Sequence, residues 1–310
     1  MDSYLVGLAV LLAFLFGWNN GSFLFGNLRG SGAASARSAL GISVLGLALG
    51  VILEGPKMYA GMAGTLAPTS TEGVLLATLL TAVVFTLVLT LLSLPVSISM
   101  VMVAAFLGAS FSVSIPINVE RSALVVAFWF VAPLATAALT FVAYTWTSKY
   151  MAKFGLLLVD SFTRAGSVFS ALLVSYTLGA NNVGLILGGT GVAGVFPQGA
   201  EVLAAVTLAA VAGTAVSTRS GVSGTIGDRM LSLSPQGVFT AFLASSVLVW
   251  VGTQLAIPVS ITQCLLGGML GAAYTKNIAV LNRGLTAETV AVWIVVPVLA
   301  FLVGFVLVLA

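Results

Sequence analysis

Histidine is absent from this 310-residue chain, cysteine occurs once, and charge is scarce: 11 Lys and Arg and 8 Asp and Glu in all. Each shortage excludes something. Without histidine, and with single scattered carboxylates, neither a zinc cluster nor a nucleophile-base triad has its parts, so an enzyme is not expected. Cys264 lies alone in an apolar run, forms no internal disulfide and is read as a small core residue. The net charge of +3 comes from basic residues scattered between apolar runs, unlike a nucleic-acid patch, and no nucleic-acid partner is expected.

What fills the chain instead is apolar residues, 60% of it, more than a soluble domain carries. Breaking the long charge-free runs at Pro95 and Pro258 gives ten membrane segments near 3–28, 38–66, 73–93, 95–117, 122–148, 165–190, 199–218, 236–256, 258–275 and 287–309. The N-terminal run has no basic n-region and no A-x-A-like end, and is read as the first span. The fold class expected is an all-α integral membrane protein, multi-pass in the cell membrane with lipid around it. With ten crossings, nine basic residues (Arg29, Arg37, Lys149, Lys153, Arg164, Arg219, Arg229, Lys276, Arg283) fall on one side. Only Lys57 and Arg121 fall on the other, which places both termini outside. The segments after each proline are candidates for re-entrant hairpins.

Three motifs occur twice in the same order. FGWNNGS at 16–22 is echoed by LGANNVG at 178–184, LPVSIS at 94–99 by IPVSIT at 257–262, and FWFVAP at 128–133 by VWIVVP at 292–297, at offsets of 162, 163 and 164. The chain therefore reads as a duplication, with repeats 1–150 and 165–310 joined by a linker at 151–164. Five segments per repeat is odd, so the second repeat enters the membrane from the opposite side: an inverted repeat, as in many secondary transporters.

The duplicated polar motifs are the candidate site. A Gly-Xaa-Asn-Asn cluster in hydrocarbon could open its helix into two halves and expose free N–H groups to an anion. Asn19, Asn20, Asn181 and Asn182 add amide donors and acceptors, suited to oxyanion oxygens or, through the carbonyl, to a cation. Pro95 and Pro258 are read as opening helices, with Ser97, Ser99, Ser260 and Thr262 in the first turn, where hydroxyls cap the helix or join its amides around an anion. Glu54 and Lys57 flank Gly55-Pro56 and suggest a turn at the membrane edge, and Glu201 the start of a helix.

These motifs resemble those of the inorganic phosphate transporters, the PiT family of sodium- or proton-coupled symporters. Its GANDVANA-like motif is matched at 17–24 and 179–186, its P-V-S-T-T-H motif at 95–100 and 258–263, and its second-half pattern across 225–263. The resemblance implies broken or re-entrant helices meeting at a central phosphate site, in a homodimer, with no cofactor beyond sodium as a candidate coupling ion. Carried over by position, the family's aspartate is Asn20 and Asn182, and its second asparagine is Phe23 and Leu185. The serine is kept as Ser97 and Ser260, the first threonine becomes Ile98 and Ile261, and the second becomes Ser99 and Thr262. The histidine becomes Met100 and Gln263. Asn20, Asn182 and Gln263 are then the coupling-ion candidates. With both aspartates gone, discrimination against sulfate is expected to weaken. The expected function is gradient-coupled transport of phosphate, with sulfate or another tetrahedral oxyanion as the alternative substrate, and an anion channel or a non-transporting phosphate sensor as the alternatives of another class.

Overall fold

The computed structural model describes residues 3–66, 71–188, 199–218, 233–275 and 282–309. Ten helices occur among them: α1 Ser3–Gly30, α2 Ala36–Thr65, α3 Glu72–Leu91, α4 Ile98–Ser112, α5 Val119–Met151, α6 Leu156–Gly188, α7 Ala200–Ser217, α8 Pro235–Gln254, α9 Ile261–Tyr274 and α10 Arg283–Leu307. Arg219, Arg229 and Lys276 of the charge asymmetry, the first part of the 225–263 match and the side chains of Phe23 and Arg283 lie outside what is described. Local chemistry sets several starts. Ser35, Thr71, Asn118 and Ser234 each accept a hydrogen bond from the backbone N–H three residues on, and Pro235 supplies a ready φ at the first helical position of α8. Glu201 sits in the first turn of α7, as its position suggested.

Eight of the helices are long and apolar enough to cross a membrane. The other two, α4 and α9, have 15 and 14 residues. At about 1.5 Å per residue they fall short of a hydrocarbon layer of about 30 Å. These are the segments that follow Pro95 and Pro258, and α3 and α8 deliver the chain to them inside the bundle. The outer faces of α5 and α10 present Leu134, Val142, Ile294, Val298 and Leu302 outward, as lipid demands. Near the end of α5, Trp146 stacks on Tyr150, which packs against Phe154 beneath Lys153, the amphipathic grouping expected at a membrane-water interface.

Helices five apart in number play the same role, and their packing crosses between the repeats. α1 packs on α7 just as α6 packs on α2; α4 packs on α10 just as α9 packs on α5. Glycine makes these crossings close. A Cβ on Gly17 would strike the carbonyl of Ala210, and one on Gly179 the carbonyl of Leu47; a Cβ on Gly213 would strike Phe14 O, and one on Gly50 Tyr176 O. Backbone-to-backbone approach of this kind is how helices associate in lipid, where no hydrophobic force separates protein from solvent.

Three expectations need correction. The Asn clusters do not open their helices: α1 runs unbroken through 17–22, and α6 absorbs the second cluster in a single π-helical turn, Gly179–Val183. The backbone stays hydrogen-bonded because the asparagine side chains, not the main chain, make the outward connections described below. The prolines do not open helices either. Pro95 and Pro258 lie in extended chain two residues before the caps Ser97 and Ser260. Finally, Glu54 to Lys57 is helical, with Pro56 carried inside α2 and an i,i+3 ion pair of 2.9 Å across it. Helix α6 starts at Leu156.

The crossing geometry predicts the outcome of two substitutions. Gly213→Val should cost about 3 kcal/mol, because the obstacle is backbone that cannot move aside. Gly7→Ala, which meets nothing within 4 Å, should gain a few tenths to 1 kcal/mol as a helix-interior glycine replaced. Thermal unfolding of the detergent-purified variants checks both, and equal midpoints would contradict the crossing.

Candidate functional site: two asparagine-clamped hairpins

Each repeat folds a helix back on itself deep in the bundle, and the turn is the same in both. Helix α3 ends in a left-handed residue, Ser93 (φ 61°), with Leu94 N–H returning to Leu89 O at 2.9 Å. Helix α8 ends at Ala256 (φ 52°), with Ile257 N–H returning to Gly252 O at 2.8 Å. Neither is glycine, so each turn carries a steric cost of about 1–2 kcal/mol. The next residues run extended and leave main-chain groups unpaired, an unaffordable state inside a membrane unless side chains answer them.

Asparagine answers them. From the middle of α1, Asn19 Nδ2 donates to Thr90 Oγ1 at 3.0 Å and to Leu94 O at 2.9 Å, while its Oδ1 accepts from Val96 N–H at 2.9 Å. From the π-turn of α6, Asn181 Nδ2 donates to Thr253 Oγ1 and to Ile257 O, both at 3.1 Å, and its Oδ1 accepts from Val259 N–H at 3.0 Å. Both amide hydrogens of each are thereby used. Thr90 and Thr253 were not singled out from the sequence, although the second repeated motif extends back to them as TLLSLPVSIS and TQLAIPVSIT.

The neighbouring asparagines differ. Asn20 and Asn182 are each 2% exposed, and the Nδ2 of each is buried without a hydrogen-bond partner. A buried unpaired amide costs about 1–3 kcal/mol and calls for an explanation, the more so when it occurs at both related positions. Beyond the clamped residues come the hydroxyls at the N-termini of the short helices. Ser97 Oγ and Ser99 Oγ lie 3.3 Å apart, as do Ser260 Oγ and Thr262 Oγ1, and all four residues are buried. Ser260 also caps α9 by accepting from Gln263 N–H at 3.4 Å, whereas Ser97 makes no side-chain cap bond. Gln263 is 7% exposed; Met100 stands in its place in the first repeat. The interior is neutral: among the described residues no Asp, Glu, Lys or Arg is buried, and the buried polar side chains are Asn, Gln, Ser and Thr together with Tyr144, Trp129 and Trp293.

The second hairpin has a further tether. Lys57 Nζ donates to Glu54 Oε1 at 2.9 Å and Gln254 Oε1 at 2.7 Å, Gln254 Nε2 donates to Glu54 Oε2 at 3.1 Å, and the Arg121 guanidinium donates to the carbonyls of Leu255 and Ala256. In the first repeat the position of Gln254 is Leu91, which is exposed.

Two buried donors, two hydroxyl pairs and two helix N-termini, arranged in duplicate, suit an anion with several acceptor oxygens. The family model of the phosphate transporter family matches residues 16–304, nearly the whole chain. The chain belongs to that family. It is a family of carriers of inorganic phosphate across membranes, not of enzymes. A protein of Methanocaldococcus jannaschii that bears the name of a phosphate permease is 25% identical over 96% of this chain and 93% of its own. A Bacillus subtilis protein named for low-affinity inorganic phosphate transport is 22% identical over 72% of this chain and 69% of its own. The solved structure of a sodium-dependent phosphate transporter superposes with a TM-score of 0.81 at 17% identity, covering 98% of this chain and 97% of that one, so the fold is shared end to end.

The clamp should be structural. Asn19→Leu or Asn181→Leu leaves a carbonyl and an N–H unanswered and should lower stability by about 2–4 kcal/mol, read as a fall in the thermal midpoint. Ser93→Gly and Ala256→Gly relieve the left-handed strain and should raise it by about 1 kcal/mol.

Proposed function

We propose that this protein is a secondary phosphate transporter whose substrate is held by Asn20 and Asn182, together with the hydroxyls of Ser97, Ser99, Ser260 and Thr262 and the first-turn amides of α4 and α9. The observation that carries the reading is the pair of buried, unpartnered Nδ2 groups, one per repeat. An oxyanion supplies the acceptors that the protein does not. Asn19 and Asn181 position the two hairpins and reach the substrate only through them. The repeats are taken as 1–150 and 165–310 with 151–164 between them, and access alternates as one hairpin-bearing element moves against the other.

Sodium or protons couple the flux. The neighbour of the same fold is sodium-dependent, and here the side-chain carbonyls of Asn20 and Asn182 are neutral oxygen ligands for a sodium ion that would enter with the anion. An anion site with neutral walls gains from a co-bound cation, since each ion then offsets the other's desolvation. The charge asymmetry of the sequence supports termini on the outer side of the cell membrane, and the family resemblance supports a homodimer.

The test is radiolabelled phosphate uptake into proteoliposomes under imposed sodium or proton gradients. Accumulation against a phosphate gradient is expected, and equilibration alone would overturn coupling. Asn20→Leu and Asn182→Leu should each abolish uptake. Both variants should unfold no earlier than the parent, since each removes an orphaned polar group. Undiminished uptake in both would reject the site.

A further inference from the structure

The two halves of the site are alike in their donors and unlike in one acceptor. Ser260-Ile261-Thr262-Gln263 has the S-x-x-Q spacing of a capping box, in which the serine oxygen accepts from the N–H of the third helical residue and that residue's side chain reaches back to the N–H of the serine. Only half of the box is formed. Gln263 N–H donates to Ser260 Oγ at 3.4 Å, but Gln263 Oε1 makes no return bond and is buried with no partner at all. The residue is 93% buried, so solvent does not answer it. Its counterpart in the first repeat, Met100, is equally buried and has no oxygen to offer.

Among the buried side-chain atoms left without a partner are two donors related by the pseudo-twofold of the repeats, on Asn20 and Asn182, and the Gln263 acceptor, which has no counterpart in the first repeat. A fully deprotonated tetrahedral anion such as sulfate presents only lone pairs. It satisfies Asn20 and Asn182 and leaves Gln263 Oε1 facing like partial charge. Hydrogen phosphate presents lone pairs on three oxygens and a hydroxyl on the fourth, which is the complement of two donors and one acceptor. No buried carboxylate competes for that hydroxyl among the described residues. Gln263 also lies one helical turn from Ser260, on the helix end whose preceding loop Asn181, the chain neighbour of Asn182, clamps.

We propose that Gln263 Oε1 accepts the hydrogen bond of the P–O–H group and is the residue by which this site selects a protonated tetrahedral oxyanion over sulfate. The assignment rests on the phosphate site described above and adds its specificity. A site built to bond a substrate hydroxyl rejects analogues that lack it, because its own group is then left unpaired.

The experiment is displacement of radiolabelled phosphate bound to the purified full chain by three competitors at neutral pH: arsenate, which keeps a proton, and sulfate and monofluorophosphate, which do not. With the parent protein, arsenate should compete near phosphate itself, and the other two should be at least about tenfold weaker. In Gln263→Met, which installs the residue of the first repeat, that gap should close by about tenfold while phosphate still binds. In Gln263→Glu, which restores an acceptor, it should reopen. Monofluorophosphate competing as well as arsenate in the parent overturns the assignment without any variant, and so does an unchanged gap in Gln263→Met. If Asn20→Leu and Asn182→Leu abolish binding while Gln263→Met leaves the gap intact, the site stands and only the role of Gln263 falls. If those two variants bind phosphate normally, the site itself falls.

Discussion

A turn of main chain inside a membrane has no water to bond, and the whole arrangement depends on how that is answered. The reply is one asparagine per repeat, reaching from a neighbouring helix to satisfy a carbonyl, an N–H and a threonine hydroxyl at once. Removing either side chain leaves groups whose desolvation nothing offsets. Because the clamp comes from α1 and α6, it also fixes where the next residues of those helices stand. Asn20 and Asn182 are therefore aligned by the stability of the hairpins and not at its expense, so the clamp and the proposed substrate donors share a dipeptide.

The same economy shows in how neutral the interior is. A site lined by fixed charges would hold a multivalent anion tightly and release it slowly, whereas neutral amides, hydroxyls and helix ends bind through many modest contacts. A carrier must let go on the far side, and the lining proposed for this site is suited to that. The charged residues Glu54, Lys57 and Arg121 are kept for tying one hairpin to its surroundings. The two hairpins are consequently not equivalent in restraint, although they are nearly equivalent in shape.

Much of this was legible in the sequence. Charge-poor apolar runs located the ten segments, because hydrocarbon tolerates little else, and near-constant offsets between polar motifs revealed the duplication. The family resemblance came from the same few residues. What stayed hidden was partnership. Asn19 and Asn20 are chemically identical in a string of letters, and only the direction each side chain leaves the helix separates a clamp from an open donor. The reading that glycine and asparagine would unwind the helix failed for the same reason: it asked what the backbone could do and not what lay across from the side chains. Proline marked the right turns but stood two residues too early, since extended chain before a serine cap suits it as well as a helix start does. That Gln263 returns no bond to Ser260 was invisible, for the S-x-x-Q spacing by itself promises a completed box.

The crossing of helices between repeats has a consequence for how the molecule is made. Helices α1 and α2 enter the bilayer long before α7 and α6 are synthesised, yet their close glycine-lined partners are on those later helices. The N-terminal half must therefore wait in lipid with its tightest interfaces vacant, and assembly can be completed only when the second half threads between its members. Such a half, made alone, would have one natural way to satisfy those surfaces: insertion of a second copy in the opposite orientation.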